Sequence, residues 1–83
     1  MSTVPADALD RARRDTGLTQ DQLWLRYFGL GGMRAGLEVE AILFGALEPT
    51  ALDRDRIVHA LNERFTELGR NHPVPYSGDA GAP

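Results

Sequence analysis

The sequence predicts an all-α fold, a small bundle of four short helices with a disordered C-terminal tail. Three observations carry the prediction. Apolar residues recur at helical spacing, most clearly at Ile57, Val58, Leu61, Phe65 and Leu68. Threonines able to cap a helix stand ahead of the apolar segments, at Thr3, Thr19 and Thr50. Glycine or proline follows them, at Gly17, Gly29, Pro49 and Gly69. On this reading residues 1–69 form a single helical domain and residues 70–83 a flexible Pro/Gly-rich tail.

In the first helix Thr3 is the cap, Pro5 fits the opening turn and Asp7 favours the dipole, while Leu9 and Ala12 supply a small apolar face that ends near Gly17. The second helix, Gln20 to Phe28, opens on a capping box, because Thr19 and Gln22 stand where each side chain reaches the other residue's backbone N–H. It carries Leu23, Trp24, Leu25, Tyr27 and Phe28, more apolar surface than one face requires. Gly29, Gly31 and Gly32 supply a turn, with Leu30 as the hydrophobic anchor of the C-cap. A third helix is expected from Met33 or Gly36 to Leu47, with Arg34 and Glu38 paired on its exposed side and Pro49 as its stop.

The fourth helix, capped by Thr50 or Asp53, sets Arg54, Ile57, Val58, Leu61, Phe65 and Leu68 on one stripe and turns His59, Asn62, Glu63, Thr66 and Glu67 away from it. Gly69 suits its C′ position. Past Arg70, the stretch with Pro73, Pro75, Gly78, Gly81 and Pro83 has too little apolar area to offset the entropy of ordering. The tetrapeptide Ala8 to Arg11 recurs as Ala51 to Arg54, too short a match for a repeat architecture.

A chain of 83 residues makes one domain, and at that size only somewhat more than about 60% of the unfolded surface is buried. It has no cysteine, which removes disulfides and thiolate metal sites and leaves self-association as the way to supplement a thin core. The longest apolar stretch, Val39 to Leu47, is interrupted by Glu40 and Gly45 and falls well short of the roughly 20 residues that span a bilayer, so no membrane partner is expected. Met1 to Asp10 carries acidic residues where a signal peptide has a basic start and an apolar run, which points to a cytoplasmic protein. The net charge of −3 disfavours a nucleic-acid partner. All nine Lys and Arg positions are arginine, which excludes lysine Schiff-base chemistry and fits the bias of a GC-rich bacterial genome.

No enzyme, metal or cofactor is expected. The histidines are His59, on the polar face of the fourth helix with Asp55 and Glu63 one turn away, and His72 in the tail. Two histidines and scattered carboxylates do not make the four-ligand set of structural zinc. The glycines from Gly29 to Gly36 match neither the dinucleotide fingerprint nor the phosphate-loop spacing, and no strand precedes them, so they read as a turn.

The stretch Arg13-Arg14-Asp15-Thr16-Gly17-Leu18-Thr19-Gln20-Asp21-Gln22-Leu23 resembles the opening of the helix-turn-helix of Xre and Cro-type repressors, in which an Arg-rich helix leads through a Gly-Leu-Thr-Gln turn into the first helix of the motif. The resemblance implies a DNA-binding transcriptional regulator, with the next helix reading the major groove. Beyond Leu23 the pattern departs from the family: Trp24 stands where a small residue is usual, and the next helix offers Gly36, Leu37, Glu38, Val39 and Glu40 in place of polar readers. Carboxylates facing phosphates are repulsive.

The surplus on the second helix favours a different reading. Trp and Tyr combine large apolar area with a polar tip and dominate interface hot spots. The sequence therefore points to a non-enzymatic protein-interaction or regulatory adaptor protein that binds a protein partner or forms a homodimer, with Trp24, Tyr27, Phe28, Leu30 and Met33 as the interaction residues. A degenerate helix-turn-helix DNA binder is the alternative.

Overall fold

The computed structural model describes residues 8–70. They form four helices, α1 (Ala8–Thr16), α2 (Gln20–Gly29), α3 (Gly36–Leu43) and α4 (Ala51–Glu67), with no strand among the described residues. The cap expected at Thr3, His72 and the tail from residue 71 lie outside them. Just past α4, the Arg70 N–H donates to the Phe65 carbonyl at 2.7 Å and the Arg70 guanidinium lies over the Phe65 ring at 5.7 Å.

The helix starts follow the local chemistry of the sequence. Thr19 accepts from the Gln22 N–H at 3.1 Å while the Gln22 side chain accepts from the Thr19 N–H at 2.9 Å. Thr50, not Asp53, caps α4, accepting from the Asp53 N–H at 3.1 Å. The three later helices end alike. After Leu30, Phe44 and Leu68 as C-caps, the N–H of Gly31, Gly45 and Gly69 bonds back to the helix. The N–H after each glycine reaches a carbonyl five residues back, completing a Schellman motif.

Gly45 therefore corrects the expected course of α3. Its φ of +79° is one that a side chain resists and glycine adopts freely, so the helix stops at Leu43, ahead of Leu47 and Pro49. Ala46 and Leu47 turn back so that both N–H groups reach the Ala41 carbonyl.

α4 packs against α1 and α2, and α3 against α1 and α2. The core between them is Leu18, Leu23, Tyr27, Val39, Ile42, Leu43, Ile57, Val58, Ala60, Leu61 and Phe65. Fully burying each of its larger aliphatic side chains contributes about 1.5–3 kcal/mol. With neighbours on two sides, α4 buries a wider arc than one stripe: Ala60 and Asn62 are buried, whereas Leu68, expected in the stripe, is exposed. Asn62 is thus corrected from the polar face to the interior.

Candidate interaction surface

α2 positions the residues singled out by sequence, and it divides them. Leu23 and Tyr27, one turn apart, point into the core. The Tyr27 hydroxyl donates to Asp53 Oδ1 at 3.1 Å and accepts the Arg34 N–H at 3.1 Å. The Tyr27 side chain therefore anchors the connection between α2 and α3 to the start of α4. Because Tyr27 is fully buried in the monomer, its assignment as an interaction residue is corrected to a core role. Leu30 is half-buried and packs on the core as the C-cap residue.

Arg34 completes this anchor. Its Nε donates to Asp53 Oδ2 at 2.7 Å, and its Nη1 lies 3.6 Å from Glu38. The expected pairing with Glu38 is present, but Arg34 precedes the α3 N-cap, Ala35, and only a quarter of its side chain is exposed. The Arg34 guanidinium, then the Tyr27 and Thr50 hydroxyls, hold the Asp53 carboxyl below its ordinary range.

Trp24 is half-buried on the flank of α2. Its indole N–H donates to the Arg34 carbonyl at 2.9 Å, and its ring lies against Gly36, where a Cβ would stand 3.8 Å from the indole. Phe28 stacks on it with ring centroids 5.3 Å apart and planes at 26°. The stack fixes two large rings on the outside of the bundle, one of them mostly in solvent.

Exposed apolar side chains stand on α2 and on the segment that leads into α3: Leu25 at 60%, Phe28 at 58%, Met33 at 90% and Leu37 at 77% of full exposure. Leu25 and Phe28 are three residues apart on the outer face of α2; Met33 and Leu37 flank the segment that the Trp24 indole holds in place. Leu25 and Leu37 were missed as interaction candidates. Leu25 was recognisable as part of the surplus on α2, whereas Leu37 reads in sequence as an ordinary apolar position of α3.

Beside Leu25 the surface dips into a shallow cleft of about 290 Å³ lined by Leu18, Gln22, Leu25, Arg26 and Arg64. Its arginines are engaged: Arg26 holds Glu67 through two hydrogen bonds of 2.8 Å, and Arg64 donates to Glu67 at 3.2 Å. Arg26 first, then Arg64, pulls the Glu67 carboxyl down to about 2.

The stretch from Arg13 to Leu23 folds as the end of α1, a turn at residues 17–19 and the start of α2, and the two helices that a helix-turn-helix would use, α2 and α3, are joined by a connection from Leu30 to Ala35. That connection is longer than the turn of about three or four residues in such motifs. The first turn of α3 presents Leu37 and Glu38, and Glu38 is occupied in accepting the Ala35 N–H at 3.0 Å. His59 is half-exposed, with Nε2 3.6 Å from Glu63. No group of three His, Cys, Asp or Glu converges as metal ligands among the described residues, and no described helix is long and apolar enough to cross a membrane.

Comparison with protein-family models, with curated proteins and with solved structures finds no match.

Proposed function

We propose that this protein is a non-enzymatic interaction module, a cytoplasmic regulatory adaptor that docks another polypeptide on the outer face of α2 and the segment leading into α3. One observation carries the reading: Leu25, Phe28, Met33 and Leu37, on α2 and the segment leading into α3, are all more than half exposed. Together they present on the order of 500 Å² of apolar surface, toward the upper end of what a monomer usually shows and a common mark of a functional patch. The patch is also preorganised. The Thr19–Gln22 capping box, the Tyr27 anchor and the Trp24 hydrogen bond hold its backbone, so ordering on binding costs little.

Affinity capture with the wild-type chain and with the double variant Phe28→Ser, Leu37→Ser tests the reading. A specific polypeptide bound by the wild type and lost from a variant that retains its helical circular dichroism supports it. Capture indifferent to both substitutions overturns it. The length of the Leu30–Ala35 connection and the Leu37–Glu38 start of α3 weigh against DNA as the partner. Salt-sensitive binding to random duplex DNA that is lost in an Arg13→Ala, Arg14→Ala variant is the result that would replace a polypeptide with DNA.

A further inference from the structure

From Ala35 to Asp53 the chain holds no basic residue, and it carries Glu38, Glu40, Glu48 and Asp53. Two of these carboxylates are engaged by Arg34, Asp53 at 2.7 Å and Glu38 at 3.6 Å. The carboxylates of Glu40 and Glu48 make no hydrogen bond or ion pair among the described residues. α3 turns Val39, Ile42 and Leu43 into the core. Leu37, Ala41 and Phe44, at spacings of four and three residues, therefore form the opposite stripe, in which Leu37 and Phe44 are exposed. Glu38 borders that stripe on one side and Glu40 on the other. Trp24 links α3 to α2, since its ring lies against Gly36, the residue before Leu37, and stacks on Phe28.

We propose that the polypeptide docked on this protein is a basic amphipathic helix, its apolar face along Leu37, Ala41 and Phe44 and its arginine or lysine side chains on Glu40 and Glu48. The inference rests on the interaction reading above and names the chemistry of the partner. Apolar side chains three and four residues apart form a ridge of the kind on which a second helix packs. The charge beside that ridge is negative and, at Glu40 and Glu48, unspent.

The C-terminal end of α3 adds to the preference. Its carbonyls carry partial negative charge, and the last turn has no basic side chain of its own to meet it. The same carboxylates repel nucleic-acid phosphates and anionic membrane surfaces. Charge of this kind selects among partners more than it adds affinity, which the exposed apolar stripe supplies.

Titration of the full chain with two synthetic peptides tests the inference. One is an amphipathic helix of leucine, alanine and lysine; the other has glutamate in place of every lysine. Trp24, the single tryptophan, reports binding by its fluorescence. The expected result is micromolar binding of the lysine peptide, weakened severalfold between roughly 50 and 300 mM salt, and none of the glutamate peptide. Glu40→Arg and Phe44→Ser should each raise the dissociation constant about fivefold or more with helical circular dichroism unchanged, and Glu40→Gln by less than Glu40→Arg. Asp15→Arg makes the same change of charge on α1 and should leave binding as it was. Absence of binding, equal binding of the two peptides, or equal losses in Asp15→Arg and Glu40→Arg overturns the inference. Affinity capture run in parallel separates it from the reading beneath it. A captured polypeptide that depends on Phe28 and Leu37 but is indifferent to Glu40→Arg and to salt leaves the interaction reading standing without a basic partner, whereas loss of both peptide binding and capture removes the two together.

Discussion

Gly32 and Tyr27 meet so closely that no side chain fits between them. A Cβ at Gly32 would fall within the van der Waals envelope of the Tyr27 ring, which is itself fully buried and cannot swing aside. Gly32→Ala is therefore expected to cost about 2 kcal/mol or more through overpacking, measured as a lower urea midpoint. Gly29→Ala is the matched control. It lies in the last turn of α2 with open space where its Cβ would point, so the same substitution should be neutral or stabilise by up to about 1 kcal/mol. Equal losses in the two variants would show that the glycine turn, not the ring, sets the requirement.

Among the helices, α2 and α3 differ in how their starts are satisfied. α2 has the full reciprocal box, while α3 has only half of one. Glu38 accepts the Ala35 N–H, but Ala35 offers no side-chain acceptor in return, although its backbone (φ −68°, ψ 159°) already has N-cap geometry. Thr19→Ala should lower stability by about 1 kcal/mol, and Ala35→Ser should raise it by about 0.5–1 kcal/mol. Thermal melts of the two variants check both signs. The first of these values corresponds to a shift of roughly 4–8 °C in a domain of this size. A destabilised Ala35→Ser would mean that the α3 N-terminus is held by packing alone.

For the molecule as a whole, two acidic anchors tie α4 to the rest of the bundle at opposite ends: Asp53 with Arg34 and Tyr27, and Glu67 with Arg26, to which Arg64 of α4 itself adds a second donor. Both carboxyls are held below their ordinary range, Glu67 at about 2. As pH falls, the unfolded chain takes up protons at these positions before the folded chain does. Their contribution is complete above the ordinary carboxylate range of roughly 4 and is lost as pH falls toward 2. The melting temperature should decline across that window. Asp53→Asn should be less stable than wild type at pH 6 and show a shallower decline below pH 4. Parallel curves for the two proteins would remove Asp53 from the linkage.

What the sequence by itself determined is the local part of the structure: four helices, the Thr19 and Thr50 starts, and the ends after α2 and α4. Caps and Schellman turns are hydrogen bonds closed within about five residues, so the residue types that make them are legible in one dimension. Gly45 was legible in the same way, but Pro49 is the more obvious stop and masked it. Only the tertiary structure decided which side chains of α2 face inward, because a helix with apolar residues around much of its circumference has no unique buried side. Leu23 and Tyr27 were taken by α4 and the core, Trp24 was fixed halfway by Arg34 and Gly36, and Leu25 and Phe28 were left outside. The same holds for Asn62 and Ala60, which are buried because α4 has neighbours on two sides. Burial depends on how many elements surround a helix and at what angle, and periodicity along a single helix carries neither quantity.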